Sequence, residues 1–401
     1  MASSVIVPIV ALQNVRQHPN ADKLELCDVL GYPLVIVKGQ FKTGDIGVYF
    51  PAGTIIPFKW SEKFGVSKYL RGAKHNRVGQ VALRGEPSFG LFVPIPEGLT
   101  ANVGDNVAEF FNAQKYIPPM KSTDGDAEKY DENIDPYVKR YTDIENGRIF
   151  VDVFEPGEEV VVTEKIHGTN CKVGFIWDKE FDMYVAVASS MEIRRKRPQK
   201  TTLPKNIVEK IARKICYNYN KPKTALQRFA KHFCGDVYVN AEIDDKEFLQ
   251  NRYWFPHSIK AVQRMLKGLR EIYEDPTSIL LYGEVYGSGI YFAYDRPNSL
   301  GFRLFDISIN GRYLNWNDFV LYTKLFKVPT VPVLYVGPYK PELIQLAEGN
   351  TSIEGAKNIK EGIVIKPVIE RQNDKTGRTI LKFIGTQYDL QKNDADDTSD
   401  V

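Results

Sequence analysis

The sequence predicts an α+β protein with two domains, one built of short strands and one that mixes strands and helices. The chain has 401 residues, which is too long for one ordinary domain and long enough for two or three. Its hydrophobic content of 43% and charged content of 26% are those of a soluble globular protein. The spacing of its apolar residues changes near residue 110, and this change separates the two domains.

The first domain, residues 1–110, contains closely spaced apolar runs of strand length, which glycine, proline and aspartate separate. Short strands bounded by turn residues predict a small barrel or a sandwich. The runs are Val5–Val10, Leu24–Val29, Leu34–Val37, Ile46–Phe50, Gln80–Leu83 and Gly90–Pro94.

A polar, proline-containing connector follows at residues 111–148, and the second domain extends from 149 to 392. Within the second domain, two segments have helical spacing and three have the apolar pattern of strands. The acidic residues 393–401 are expected to form a disordered tail. The predicted helices are 204–232 and 257–274, and the predicted strands are 279–286, 302–309 and 361–366.

Composition narrows the class of protein. No apolar run reaches membrane-spanning length, and the N-terminus lacks the charged segment and long apolar core of a signal peptide. The four cysteines form no Cys-x-x-Cys pair, so we expect reduced thiols in an intracellular protein, cytoplasmic or nuclear and not secreted. We expect a monomer without a membrane partner. The net charge of +3 is nearly neutral, so a nucleic-acid contact requires a local basic patch. The cysteines are Cys27, Cys171, Cys216 and Cys234.

The segment with the most chemical information is residues 164–170, which read Glu-Lys-Ile-His-Gly-Thr-Asn after an apolar run. This pattern places Lys165 at the end of a buried strand. A lysine there is either a surface cation or an amine whose pKa is depressed by burial and neighbouring cations, and such an amine can act as a nucleophile. Lys-x-x-Gly alone is weak evidence, because it occurs by chance in most chains of this length.

Two later strands carry polar residues at informative positions. Glu284 ends an apolar run between two glycines, where it is either a surface glutamate or a carboxylate that accepts hydrogen bonds from a ligand. In 302–309, strand alternation puts Arg303 and Phe305 on one face, and Phe305 is either a core residue or a stacking surface for a purine. Asp306 faces the other way in a regular strand, so Phe305 and Asp306 can line one pocket only if the strand bulges.

The last strands add one carboxylate and two lysines. Glu361 opens a β-branched run and can hold a divalent cation or its hydration shell, since hard cations prefer carboxylate oxygens. Lys366 lies five positions further on, so a flat strand points it away from Glu361. Lys382 is a cation amid apolar strand residues, which either extends to water or meets a phosphate.

Taken together, these motifs resemble the covalent nucleotidyltransferase superfamily of DNA ligases, RNA ligases and mRNA capping enzymes. Their order is Lys-x-x-Gly, Gly-Glu, Phe-Asp, Glu-Gly-x-Val-x-Lys and a lysine-bearing strand, over about residues 160–390. The wording Glu-Lys-Ile-His-Gly-Thr-Asn is similar to RNA ligases that seal nicks in duplexes, because DNA ligases usually carry aspartate at the position of His167. The implied fold is a nucleotidyltransferase (ATP-grasp-like ligase) domain of antiparallel sheets with flanking helices.

The first domain carries a second resemblance. Gln-His-Pro-Asn-Ala-Asp-Lys-Leu-Glu-Leu, Val-Lys-Gly-Gln and Gly-Asp-Ile-Gly-Val-Tyr-Phe-Pro are similar to the tRNA-binding OB-fold module of some synthetases. An OB-like β-barrel before the ligase domain, with almost nothing after the last motif, resembles the Deinococcus-type RNA ligases.

The resemblance implies roles for individual residues. Lys165 would attack ATP and carry AMP, His167 would act chiefly when AMP passes to the 5′-phosphate, and Lys382 would contact the α-phosphate. Glu361 would hold Mg²⁺ or Mn²⁺, while Lys366, Lys382 and the metal would lower the pKa of Lys165. The partner would be nicked RNA or an RNA-containing duplex. The implied cofactor-binding residues are Glu164, Ile166, Gly168, Asn170 (which would order the nucleic-acid end), Glu284 (ribose), Phe305 (adenine), Lys366 and Lys382.

One feature departs from the family pattern. An arginine usually follows the Ser-Ser after the nucleophile strand, whereas Ser189-Ser190 precedes Met191 here, and the nearest cations are Arg194 and Arg195. The basic run from Arg194 to Lys214 is either a phosphate-binding stripe or a solvated helical face.

Rival functions remain at this stage. A DNA ligase or capping guanylyltransferase is expected to carry an OB domain after the last motif, and a non-catalytic RNA-binding protein is not expected to retain the reactive residues.

Overall fold

The computed structural model describes residues 5–72, 74–116, 141–142, 144–150, 152–178, 183–191, 194–195 and 251–389. The predicted helix 204–232, the predicted tail 393–401, Cys216, Cys234 and the basic run beyond Arg195 lie outside these residues. The chain divides into two compact units. The first contains the described residues of 1–122, 143–151 and 382–401, and the second contains those of 123–142 and 152–381. The predicted domain boundaries stay predictions.

The first unit is built of short antiparallel strands and two short helices. Its strands are β1 Ile9–Ala11, β2 Gln13–Gln17, β3 Leu24–Val29, β4 Tyr32–Val37, β5 Ile46–Phe50, β6 Thr54–Ile55, β7 Gln80–Leu83, β8 Glu86–Phe89, β9 Leu91–Pro94, β10 Gln114–Lys115 and β11 Glu145–Asn146. Its helices are α1 Phe58–Lys63 and α2 Ala108–Phe111, with a 3₁₀ turn at Ser67–Tyr69.

These strands form two three-stranded sheets, β1-β5-β9 and β2-β3-β4, and two two-stranded pairs, β7-β8 and β10-β6. The alternating strand β4 illustrates why the sheets fold as they do. Its buried residues alternate with half-buried or exposed ones, and Tyr32, Leu34 and Ile36 are turned into the apolar core. The predicted strands Leu24–Val29, Ile46–Phe50 and Gln80–Leu83 are confirmed at their predicted bounds.

The second unit carries longer strands. They are β12 Glu159–Lys165, β13 Thr169–Asp178, β14 Met183–Ser189, β15 Ser278–Gly287, β16 Leu300–Ile309, β17 Arg312–Tyr313, β18 Val333–Pro338, β19 Gly362–Pro367, β20 Gln372–Asn373 and β21 Gly377–Arg378. The helices are α3 Lys260–Ile272 and α4 Trp316–Phe326, with 3₁₀ turns at Phe255–Ser258 and Pro341–Ala347. A final strand, β22, covers Leu381–Ile384.

Two antiparallel sheets organise the second unit. One has the order β14-β13-β15-β16-β17, and in the other β12 lies between β18 and β19. The predicted strands 279–286 and 302–309 are confirmed within β15 and β16, and 361–366 corresponds to β19, which begins one residue after Glu361.

Helix α3 covers the five-stranded sheet with one apolar face, as the predicted segment 257–274 requires. Val262, Met265, Leu266 and Leu269 recur at helical spacing and are fully buried. They share a core with Leu281 and other residues of the sheet. This core fixes strands β13, β15 and β16, which carry several predicted site residues.

Candidate active site

Lys165 is the last residue of β12, and the register of the sheet sets its surroundings. It lies opposite Gly362 of β19, so the preceding residue, Glu361, comes next to it. The Lys165 amine donates a hydrogen bond to Glu361 Oε1 at 2.7 Å. The Lys165 side chain is 28% exposed and that of Glu361 is 11% exposed, so this ion pair is partly shielded but open to a ligand.

The segment after Lys165 turns sharply from β12 into β13. At its centre, the His167 backbone N–H donates to Tyr294 Oη at 2.7 Å. The imidazole Nδ1 lies 4.0 Å from Glu361 Oε2, so His167 and Lys165 both lie against the Glu361 carboxylate. Lysine, histidine and glutamate therefore form one cluster at the end of β12.

Gly168 has a steric reason to be glycine. A Cβ at this position would lie 2.4 Å from the Val285 carbonyl oxygen and 2.8 Å from Glu284 Cγ. Real Cβ atoms do not approach a backbone oxygen that closely. The glycine of Lys-x-x-Gly therefore lets the turn lie directly against β15.

Glu284 lies on β15, opposite Asn170 of β13 and Arg303 of β16. Burial raises the pKa of Glu284 to about 8, while Lys165 and the Gly168 N–H act in the lowering direction and Glu361 in the raising direction. The Glu284 carboxyl thus interacts electrostatically with both members of the Lys165–Glu361 pair. Its perturbed pKa in a polar cluster is typical of a functional site.

The structure contains the bulge that Phe305 and Asp306 require. Tyr282 pairs with Asp306 while the next residue, Gly283, pairs with Leu304, so Phe305 is the extra residue of β16. As a result both side chains reach Tyr141, whose hydroxyl donates to Asp306 Oδ2 at 2.6 Å and whose ring centroid lies 5.5 Å from that of Phe305.

Phe305 also packs on an apolar cluster next to the nucleophile segment. The buried members of this cluster are Ile166, Tyr286, Val331 and Ile353. Since Ile166 directly follows Lys165, the apolar cluster includes a residue of the nucleophile segment.

Glu164 is buried, and its carboxylate binds the segment that contains Thr351 and Ser352. Its Oε1 accepts a hydrogen bond from the Thr351 hydroxyl at 2.5 Å, and its Oε2 accepts from the Ser352 N–H at 2.7 Å. Glu164 therefore fixes the 351–353 segment, including Ile353 of the apolar cluster. The sequence did not indicate Thr351 or Ser352.

Lys366 lies in a buried ion network. Its amine is 2.5 Å from Asp306 Oδ1 and 3.7 Å from Glu370 Oε1, and Arg378 binds the same two carboxylates. Burial alone would raise the pKa of Asp306, but Arg378 and Lys366 outweigh it and lower the pKa to about 2. The contacts of Lys366 thus indicate a structural role, and its predicted part in cofactor binding stays a prediction.

Three further predicted positions are placed as follows. Lys382 lies half-buried in β22, and its carbonyl accepts a hydrogen bond from the Gly147 N–H at 2.9 Å within the first unit. Asn170 has a buried Oδ1 that finds no hydrogen-bond partner among the described residues. Arg195 is buried, with its guanidinium 4.2 Å from the centre of the Tyr253 ring, and Arg194 pairs with Ser189 through the backbone. The roles predicted for these residues are not tested by this geometry.

The donor set fits a hydrated divalent cation. Among the described residues, no group of three or more histidine, cysteine, aspartate or glutamate side chains is placed to enclose a metal. However, the Glu361 carboxylate lies 2.7 Å from the Lys165 amine. Mg²⁺ keeps several waters and binds through one or two carboxylates, so Glu361 meets its needs without a full protein cage.

Sequence reasoning missed the segment Ser288–Ser299 between β15 and β16. It supplies Tyr294, which accepts the His167 hydrogen bond, and two more aromatic rings near His167. The signal was present as Tyr291-Phe292-Ala293-Tyr294 after a Gly-Ser-Gly turn, but neither strand nor helix periodicity detects such a segment.

Comparisons with known proteins show the family to which the chain belongs. A profile of the RNA ligase family matches residues 158–384, which is more than half of the chain, and an OB-fold domain profile matches residues 6–95. The chain therefore belongs to the RNA ligase family, with an OB-fold domain ahead of the ligase region. No curated protein sequence matches it. None of the helices in the described residues is long and apolar enough to span a bilayer.

Solved structures resemble the whole chain. Naegleria gruberi RNA ligase with PPi is 21% identical, with a TM-score of 0.61 and coverage of 98% of this chain and 100% of that one. A mutant of the same ligase with AMP and Mn is 22% identical, with a TM-score of 0.62 and coverage of 97% and 99%. Another mutant with ATP and Mn is 22% identical, with a TM-score of 0.60 and coverage of 97% and 99%. These matches confirm the predicted fold of an OB-fold domain followed by a nucleotidyltransferase domain.

Proposed function

We propose that this protein is an ATP-dependent RNA ligase that joins 3′-hydroxyl and 5′-phosphate ends through a lysyl–AMP intermediate. The observation that carries the proposal is the cluster of Lys165, Glu361, His167 and Glu284 at the end of β12. It combines a nucleophilic amine, a carboxylate for a cation, a second carboxyl group and an imidazole. Membership of the RNA ligase family supports the same chemistry.

The first step is a phosphoryl transfer to Lys165. Its neutral amine attacks the α-phosphorus of ATP, so that an N–P bond forms, the bond to the β-phosphate oxygen breaks and pyrophosphate leaves. The amine proton passes to solvent. Because such transfers depend mainly on positioning and charge stabilisation, the fixed register of Lys165 against Gly362 is the main contribution of the fold.

The Lys165 amine contacts Glu361 and must leave this carboxylate before it attacks. Glu361 would hold the divalent metal, which would supply neutralisation of the phosphate charge when bound. Structures of the Naegleria gruberi ligase with ATP and Mn and with AMP and Mn support ATP and a divalent metal for this fold.

The remaining roles follow from position. Phe305, which is half-buried beside Ile166, would stack on the adenine, and Glu284, protonated near neutral pH, can donate a hydrogen bond to a ribose oxygen. In the second step, the 5′-phosphate oxygen attacks the lysyl–AMP phosphorus and the N–P bond breaks, with His167 close to the departing amine. In the third, the 3′-hydroxyl displaces AMP and forms the phosphodiester.

We further propose that the substrate is a nick in a duplex, with RNA on the 3′-hydroxyl side, and that the chain belongs to the Deinococcus-type branch. The OB-fold match ahead of the ligase region supports this proposal. The test is a panel of nicked duplexes with RNA or DNA on each side of the nick and a labelled 5′-phosphate. We expect sealing to require RNA at the 3′-hydroxyl end.

The panel also separates the rival functions. Efficient sealing of all-DNA nicks would identify a DNA ligase and contradict the RNA requirement. Use of GTP in place of ATP would indicate capping chemistry. Duplex binding without sealing or protein labelling would indicate a non-catalytic RNA-binding protein. Lys165→Ala is the matched variant, and Lys340→Ala, which changes an exposed lysine between β18 and the 3₁₀ turn Pro341–Ala347, is its control.

A further inference from the structure

The segment Ser288–Ser299 forms a closed loop beside the nucleophile. Its ends are held together by the Ser288 N–H, which donates to the Ser299 carbonyl at 3.0 Å. Gly287, at the start of the loop, has a φ of +113°, and a Cβ there would lie 2.2 Å from the Ser299 carbonyl oxygen. The loop therefore leaves and re-enters the sheet at a fixed point. Its tip is anchored by the hydrogen bond between Tyr294 and His167.

The loop presents a row of aromatic rings to His167. The Tyr291 and Phe292 ring centroids lie 6.1 and 5.6 Å from that of the imidazole, and 4.7 Å from each other. Phe292 and Tyr294 are half-buried, as packing residues are, but Tyr291 is 59% exposed. An exposed tyrosine fixed in an aromatic cluster at a reactive site is typical of a binding surface.

A chain of short contacts connects Tyr291 to the Lys165 amine. Tyr291 contacts His167, His167 Nδ1 is 4.0 Å from Glu361, and Glu361 is 2.7 Å from the Lys165 amine. The His167 imidazole thus lies between Tyr291 and the cluster where AMP would be transferred. Phe305, the proposed adenine contact, packs with Ile166 instead. The adenine and a ligand at Tyr291 would therefore use different aromatic rings.

The charges near this surface favour a phosphate-bearing partner. Arg252 is exposed, and its Nη1 lies 3.4 Å from the hydroxyl of Thr169, which follows Gly168. Arg296, within the loop itself, has a side chain that is 52% exposed and lies 3.5 Å from Asp295 Oδ2. An exposed aromatic ring with arginines on its own loop and beside the His167 segment matches the combination that binds nucleic-acid strands, in which bases stack and phosphates meet cations.

We propose that Tyr291, supported by Phe292, is a stacking surface for the base of the nucleotide that carries the 5′-phosphate. This inference rests on the proposed function, because it assigns a position to the substrate of that reaction. The 5′-phosphate is the first nucleic-acid group to reach the adenylylated Lys165. A base held at Tyr291 places its own phosphate toward His167 and Lys165 and leaves the 3′-hydroxyl side free to enter later.

The test measures single-turnover transfer of labelled AMP from pre-labelled protein to a 5′-phosphate at a nick. Tyr291→Ala is expected to slow transfer at subsaturating duplex on the order of ten-fold, the usual loss for one stacked base. Lysine labelling by ATP should stay unchanged. Tyr291→Phe should restore transfer because it keeps the ring. Tyr69→Ala, which removes a tyrosine that is 64% exposed in the other unit, is the control and should behave as wild type.

A substrate arm identifies the base and needs no variant protein. An abasic site at the 5′-phosphate nucleotide should slow the wild type about as much as Tyr291→Ala does, and should slow Tyr291→Ala no further. Equal transfer by Tyr291→Ala and wild type would overturn the proposal, as would coupling of Tyr291 to the base at the 3′-hydroxyl end. Absence of lysine labelling in the wild type would instead contradict the proposed function itself.

Discussion

Lys165 and Glu361 are joined by a hydrogen bond of 2.7 Å between the amine and Oε1, although 196 positions separate them in the chain. The pairing of β12 with β19 brings them together, since Lys165 lies opposite the residue that follows Glu361. The proposed nucleophile and the proposed metal ligand are thus in direct contact. The amine must leave Glu361 before it can attack a phosphate.

Replacement of the carboxylate is the first test of this relationship. Glu361→Gln keeps the shape of the side chain but removes the charge that attracts a divalent cation. We expect labelling of the protein by α-labelled ATP to fall at least on the order of 100-fold, because several kcal/mol of charge stabilisation is lost. Glu354→Gln changes an exposed glutamate nearby and should label as wild type. Equal labelling of both variants would exclude Glu361 as a metal ligand.

Glu284 predicts a specific pH dependence of stability. Burial raises its pKa to about 8 from an ordinary value of 4.5, so between these values the folded protein holds a proton that the unfolded chain has released. The free energy of unfolding therefore falls as the pH rises through this window. Relative to Glu284→Gln, which does not titrate, the wild type should lose roughly 3 kcal/mol between pH 5 and 8.

Urea unfolding of both proteins without added metal, at four pH values across that range, measures this difference. A difference that does not change with pH would show that Glu284 is ionised normally in the folded state.

Gly168 predicts a steric effect on the active site. In Gly168→Ala, the new Cβ would meet the Val285 carbonyl oxygen, so the turn after Lys165 must move away from β15. We expect lysine labelling to fall on the order of 100-fold, since small misplacements of reacting groups have effects of that size. Gly311→Ala has the strain of a positive φ but meets no atom within 4 Å, and it should label normally. Normal labelling by Gly168→Ala would contradict the close packing.

Asp306 predicts a large effect on stability. Asp306→Asn removes one of the two carboxylates that the buried Lys366 and Arg378 share and leaves Glu370, so we expect a loss of about 3–5 kcal/mol in the free energy of unfolding at pH 7. Because the pKa of Asp306 is lowered to about 2, its contribution is complete above pH 4 and should disappear as the pH falls toward 2.

Asp152→Asn is the matched control for this measurement. It breaks an ion pair with Lys375 in which the two side chains are 63% and 55% exposed, so the loss should be below about 1 kcal/mol. Equal losses for the two variants would mean that the buried network does not stabilise the fold.

The sequence predicted the parts of the fold that depend on local pattern. Apolar periodicity located β15, β16 and helix α3, because each buries one face against a common core. It placed Lys165 at the end of a buried strand, which the structure confirms. It also identified the need for a bulge at Phe305, because strand alternation alone could not bring Phe305 and Asp306 to one side.

The rest depends on contacts between distant segments. The hydrogen bond between Thr351 and Glu164 joins residues 187 positions apart, and no local pattern indicates it. Lys366 was predicted to serve the cofactor, but its burial with Asp306 and Glu370 arises from the pairing of several strands. The loop that carries Tyr291 has no periodicity, so its position beside His167 is visible only in the folded chain.

The most direct test of the account is incubation of the protein with α-labelled ATP and Mg²⁺ or Mn²⁺, followed by denaturation. We predict label that remains covalently on the wild-type protein, is lost in Lys165→Ala and persists in Lys340→Ala. The label should map to the peptide that contains Lys165. Absence of stable label in the wild type, or label that persists in Lys165→Ala, would contradict the proposal that Lys165 carries AMP.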